Sequence, residues 1–185
     1  RKIVGKLLYY SRAVDGTIAP ALSSLASQQS KATQRTDEDA TKLLNYIQTH
    51  PNASITYQAS DMQLKTHSDA SFASEPDAKS RIGGHHYLGN KPGKEEVNNG
   101  ALINPSTVLK HVADSAADAE IGGAYVNAKE ALPIRLTLEE MGWKQDPTEV
   151  TLDNSTANGF INKTIKRKRT AHPYHGYQVS LATRP

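Results

Sequence analysis

Three acidic residues stand where carboxylates could do chemistry together. They lie in the segments His67-Ser-Asp69-Ala-Ser71, Asp118-Ala-Glu120-Ile-Gly122 and Leu152-Asp153-Asn-Ser-Thr156, and each is set among small or apolar neighbours. A lone carboxylate is expensive to bury in such company. Three become reasonable if they converge on a divalent cation, which offsets both their desolvation and their mutual repulsion. Carboxylates held on strands and a helix form the rigid oxygen cluster that two-metal phosphodiester cleavage uses. One ion activates the attacking water and the other stabilises the leaving oxygen, with the ions roughly 3.5–4 Å apart. The competing reading is three unrelated surface acids.

Other candidates carry weaker signals. His67 shares a strand face with Asp69, so it either touches the site or is an ordinary, partly exposed strand residue. His85 and His86 are adjacent and must point to opposite faces of a strand, which argues against a histidine metal pair. Gly83-Gly84 marks a close backbone approach or a bulge. The run Lys166-Arg-Lys-Arg169 could hold phosphates or act as a nuclear signal, and a solvated charge run is the plain alternative.

Composition limits the classes of function. The 185 residues suffice for one domain of ordinary size, or one with an appendage. Cysteine is absent, which excludes disulfides, thiolate zinc sites and a cysteine nucleophile, and suits a reducing, cytoplasmic setting. No apolar run approaches the roughly 20 residues that span a bilayer. The start, Arg1 to Tyr10, is not read as a signal peptide, because Lys6 interrupts it and no small-residue cleavage site follows. The chain opens on Arg1 rather than Met, and is expected to be cut from something longer. Charge is unevenly spread. Residues 60–160 hold nine Lys/Arg against fifteen Asp/Glu, whereas residues 161–185 hold six against none. An acidic middle suits phosphate chemistry only when divalent cations mediate it.

The elements that must position these acids follow from periodicity. Residues 1–50 read as helical. Ile3, Val4, Leu7 and Leu8 form one apolar face, a second helix falls near 19–29, and a third begins near Thr36 and ends at His50-Pro51-Asn52. Ile55-Thr56-Tyr57 predicts a short strand. From Met62 to Phe72 the sequence alternates, with Met62, Leu64, Thr66 and Ser68 on one face and Lys65, His67 and Asp69 on the other. Residues 73–81 read as a polar connection and 82–89 as a second strand. Residues 90–100 read as an exposed hairpin loop, and a third strand falls within 101–113. Residues 115–141 predict a long helix with small residues for close packing, kinked or divided at Pro133. Residues 148–153 predict a strand, and Asn154/Ser155 cap a short helix running to about Lys163.

The order strand–Asp, hairpin, helix–Glu, strand–Asp resembles ribonuclease H. The local motifs resemble more closely the ribonuclease H domain of copia-type retrotransposon polyproteins. The residues that carry the resemblance are His-Ser-Asp69-Ala-Ser, Ser115-Ala-Ala-Asp118-Ala-Glu120 and Asp153-Asn154-Ser155-Thr156-Ala157. The second acid of the helix motif is the catalytic one in that family, so the resemblance selects Glu120 over Asp118. Ile3-Val4-Gly5-Lys6-Leu7-Leu8-Tyr9 is similar to the helix that follows the polymerase palm in such polyproteins. The resemblance implies an α/β fold, a ribonuclease H-like mixed sheet with flanking helices, over residues 60–165. A helical thumb or connection segment would occupy 1–59 and an aberrant basic tail 166–185. It further implies Mg²⁺ (or Mn²⁺) held by Asp69, Glu120 and Asp153, and no small-molecule cofactor or membrane. The partners it implies are an RNA–DNA hybrid and the polymerase portion of the same polyprotein. The parent element would reside in the cytoplasm, a virus-like particle or the nucleus.

The sequence also departs from that pattern. The family carries a fourth Asp in a segment of the form Lys-x-x-Asp-x-Arg. Here Lys166-Arg-Lys-Arg169-Thr runs into Ala171-His-Pro-Tyr-His-Gly, and no acid follows Asp153. The expectation is a fold incomplete at its C-terminal end, and a neighbouring reading frame beyond Lys168 that encodes the lost segment. Two alternatives accompany it: a non-catalytic, connection-type module that grips hybrid, and a decayed remnant of a retroelement.

Overall fold

The computed structural model describes residues 2–97 and 99–164. It is a mixed α/β structure whose helices flank a five-stranded mixed sheet. Helix α1 (Lys2–Ala13), α2 (Ala19–Ser27) and α3 (Gln34–Thr49) come first. They close on Ile18, Leu22, Leu25 and Leu43, with Val4, Leu7 and Ile47 packed around them. The third helix starts earlier than its acidic run suggests. Thr33 is the N-cap, and it exchanges hydrogen bonds with Thr36 in a capping box.

The sheet contains β1 (Gln63–Glu75), β2 (Lys79–Gly89), β3 (Ala101–Ile103), β4 (Ser106–Val108) and β5 (Glu149–Thr151). Strand β2 pairs antiparallel with β1, β3 and β4. Strand β5 pairs parallel with β1 on its other side, so the order is β3-β2-β1-β5. A parallel neighbour requires a crossover, which α4 (Ala116–Glu140) supplies; α5 (Ser155–Ile161) follows β5.

Alternation along β1 places Leu64, Thr66 and Ser68 under α4 and leaves His67 and Asp69 on the open face. The covered side holds two apolar clusters, Ile82 with Leu109, Ala113 and Ala119, and Leu64 with Ala131 and Leu138. Each fully buried Leu or Ile there contributes about 1.5–3 kcal/mol. Between the clusters lies a polar contact. Asn127 on α4 donates to Ser68 Oγ and to the Gly83 carbonyl, both at 2.9 Å, and its Oδ1 meets His86 Nε2 at 3.3 Å. His86 Nδ1 meets Thr66 Oγ1 at 3.0 Å, so every polar group of the contact is partnered. Gly84 allows it, because a Cβ at that position would collide with Asn127 Oδ1.

Four local expectations are corrected. Ile55-Thr56-Tyr57 is not a strand. It makes single bonds, from Gly100 N to the Thr56 carbonyl and from Tyr57 Oη to the Ala101 carbonyl, without a ladder. Residues 73–81 are mostly strand, since β1 runs to Glu75 and β2 begins at Lys79 around a tight turn with Asp77 and Ala78 at positive φ. The stretch 101–113 contains two three-residue strands instead of one. Pro133 does not divide α4, which is continuous from Ala116 to Glu140. The proline is exposed, so the lost helical bond faces solvent. The expected tail over 166–185 and its basic run lie outside the described residues.

Candidate metal centre

Asp69, Glu120 and Asp153 come together. One carboxylate oxygen from each lies within 4.8 Å of the others. Each arrives by a different route. Asp69 projects from β1 two residues beyond His67, the last residue at which β1 pairs with β5. Asp153 stands two residues past the end of β5. It is held there because Asn154 caps α5, accepting from the amides of Thr156 and Ala157 at 3.0 Å. Glu120 sits in the second turn of α4. The helix start is fixed by Ser115, whose hydroxyl accepts from Asp118 N, while Asp118 accepts from Asp114 N. Asp118 is thus engaged with the helix start, and Glu120 turns inward.

The burial of the three acids differs. Asp69 and Asp153 are exposed, whereas Glu120 is only 4% exposed. Glu120 Oε1 accepts from Ala70 N at 3.1 Å, and Oε2 is buried with no hydrogen-bond partner among the described residues. Burial raises the Glu120 carboxyl above its ordinary pKa, the Ala70 amide opposes the rise, and the negative charges of Asp69 and Asp153 add to it. A native fold rarely leaves a buried carboxylate oxygen without a partner. All-oxygen donors, two of them open to solvent, fit a hard divalent cation that keeps part of its water shell, and the orphaned Oε2 is the atom such an ion would satisfy. The structure therefore contains a three-carboxylate cluster that could hold a metal ion.

The open face beside Asp69 carries residues that sequence reasoning passed over. Tyr87 is buried on β2 and its hydroxyl donates to Glu96 Oε1 at 2.7 Å. The same hydroxyl lies 3.2 Å from His67 Nε2. With the phenol proton directed to Glu96, the His67 contact requires His67 to donate from Nε2. Burial first, and the Glu96 carboxylate second, push the Tyr87 phenol well above its ordinary pKa. His85 lies on this face, bonded to Asn104 and the Asn99 carbonyl, while His86 faces α4, so adjacency separates the two as expected. The loop over 90–100 is not simply exposed. Asn99 is buried and bridges Gln58 and the Leu88 carbonyl. The strand alternation marked His67, but the partnership with Tyr87 and Glu96 needed the β1–β2 register. The chain matches no protein-family model, no curated protein and no solved structure.

Proposed function

We propose that this chain carries a divalent-cation-dependent phosphodiesterase site of the ribonuclease H type, directed at the RNA strand of an RNA–DNA hybrid. The observation that carries the reading is the convergence of Asp69, Glu120 and Asp153, one of which, Glu120, keeps a buried oxygen unpartnered among the described residues. The element order supports it, because an antiparallel hairpin, a crossover helix and a parallel third strand place one acid each on β1, on α4 and after β5. Asp69, Glu120 and Asp153 would hold Mg²⁺ or Mn²⁺, which supplies water activation and charge neutralisation at the scissile phosphate. Asp69, on the exposed strand face, would hold the cation on the side open to substrate. Glu120, anchored by Ala70 N, orients the cluster from below. A hybrid duplex presents 2′-hydroxyls in a wide minor groove, and these are the groups that distinguish its RNA strand.

A second reading is that the same surface grips hybrid without cutting it, since three carboxylates converge among the described residues. A ligand needed mainly in the transition state is commonly worth a hundredfold or more in rate, so three carboxylates predict slow turnover. Cleavage of an end-labelled hybrid with Mg²⁺, set beside Asp69→Asn, decides between the two. Slow cutting abolished by the substitution supports the nuclease. Binding with a steep salt dependence but identical background cutting by both proteins supports the binding module. Robust turnover lost on substitution would show that three carboxylates suffice.

A further inference from the structure

We propose that the outer face of α4 is a self-association surface on which a second copy of this chain docks antiparallel. The inference is independent of the nuclease reading. The inner face of α4, through Ala119, Gly123, Ala124, Asn127, Ala131 and Leu138, is buried. The opposite face is apolar as well, with Tyr125 45% exposed, Leu132 56% and Leu136 50%. A helix that is apolar on both sides normally buries both.

The charges select the occupant. Lys129 stands between Tyr125 and the Leu132–Leu136 centre of the stripe, its ammonium 5.5 Å from the Tyr125 ring centroid. Glu140 stands at the C-terminal end, in the last position of the helix. They are eleven residues apart, close to three full turns, and so share an azimuth about 17 Å apart along the axis. Among the described residues neither has an ion-pair partner, whereas the neighbouring Arg135 and Glu139 are paired with each other at 2.9 Å. From Lys129 to Glu140 the order is therefore cation, apolar centre, anion. Turned end for end, the same stripe presents anion, apolar centre, cation. An antiparallel copy sets Lys129 against the second copy's Glu140 at both ends and closes Leu132, Pro133 and Leu136 between them. A parallel copy would set like charge against like. This self-complementarity is what a two-fold interface requires. Glu120 faces the sheet, so pairing on this surface leaves the three carboxylates open.

One helix face buries less than the 1,200–2,000 Å² of a standard stable interface, so the dimer is weak and reversible, in about the micromolar range or above. Sedimentation velocity on the full chain from about 1 to about 500 µM tests it. The weight-average mass should rise from the 20.1 kDa monomer towards twice that value. Leu132→Glu with Leu136→Glu should move the midpoint at least tenfold higher. Lys129→Glu alone should weaken association, and Lys129→Glu combined with Glu140→Lys should restore it. These side chains are exposed, and far-ultraviolet circular dichroism checks that each variant folds. Should the double glutamate variant fail to fold, Leu132→Gln alone serves, with the same direction of shift. A monomer across the whole range overturns the proposal and leaves the face to a partner of another kind. Association that ignores the leucine changes, or is not restored by the charge exchange, overturns it equally.

Discussion

Ala70, the residue after Asp69 on β1, donates its amide to Glu120 on α4 at 3.1 Å. That single bond spans fifty residues of sequence and joins the strand and helix that supply two of the three carboxylates. It occupies one Glu120 oxygen and leaves the other, buried Oε2, without a hydrogen bond among the described residues. The cation-binding reading therefore rests on backbone geometry as well as on the presence of three acids.

Mg²⁺ or Mn²⁺ should raise the melting temperature. An ion at a hundred times its dissociation constant stabilises the fold by about 2.7 kcal/mol, several degrees for a chain of this size. Asp69→Asn should abolish most of that rise. A melting temperature indifferent to both ions, on folded protein, would sink the claim that the acids form one site.

Glu120 should make the metal-free protein more stable as the pH falls. Its folded pKa is raised, chiefly by burial, so the fold holds this proton more tightly than the unfolded chain does. The stability it contributes is complete below the ordinary glutamate value and is lost as the pH rises through the folded value. Urea midpoints across pH should show this gain in the native sequence and lose it in Glu120→Gln. That variant should also be more stable than the native chain at neutral pH without metal, and should gain less from Mg²⁺. Superimposable pH profiles for the two proteins would contradict the assignment.

His86 should act in the opposite direction. Burial between Thr66 and Asn127 lowers its pKa below the ordinary 6.5, with the Asn127 bond and Glu130 opposing in part. As the pH drops below that value, the unfolded chain takes up a proton that the folded ring refuses. Stability then falls, by at most about 1.4 kcal/mol per pH unit for one proton, until the folded pKa is passed. The Glu120→Gln background isolates this limb, and adding His86→Gln should flatten it. A limb of unchanged steepness would assign the loss to another group.

These features were unequally legible in the sequence. The period-2 alternation from Met62 sorted Leu64, Thr66 and Ser68 from His67 and Asp69, because one face of β1 is covered and the other is not. The small residues of α4 announced a helix lying close to a sheet. The three acids could be picked out because each sits at a marked position: a strand face, a helix start and a strand end. Asn127 could not be assigned, since a polar residue in a small-residue helix gains its meaning only when Ser68 and Gly83 are brought opposite it. Tyr57 looked like strand because its neighbours are β-formers, yet among the described residues its segment makes only single bonds to Gly100 and Ala101 and no ladder.

Asn127→Ala should cost several kcal/mol, since it leaves Ser68, the Gly83 carbonyl and His86 short of partners at about 1–3 kcal/mol for each group left unsatisfied. It should also shrink the Mg²⁺-induced rise in melting temperature, because Asn127 lies on the same inner face as Glu120, two turns along, and ties α4 to β1 and β2. Leu43→Ala, in the helical cluster, is the control. It should cost a comparable 2–5 kcal/mol while leaving the metal response whole. Equal responses from the two variants would show that the Asn127 contact does not hold the acids in place.

Strand β5 is paired to β1 at only three positions, Lys65 with Glu149, Thr66 with Val150 and His67 with Thr151, whereas β1 and β2 are paired along most of their length. In amide hydrogen exchange, the few β5 amides bonded in that ladder should lose protection through a local opening that leaves the β1–β2 hairpin closed. Asp153 travels with that opening, because it lies just beyond the strand. A cation spanning Asp69 and Asp153 would slow exchange at β5 far more than at the hairpin. Proton–deuterium kinetics would then report the ion's residence through a strand that does not touch it.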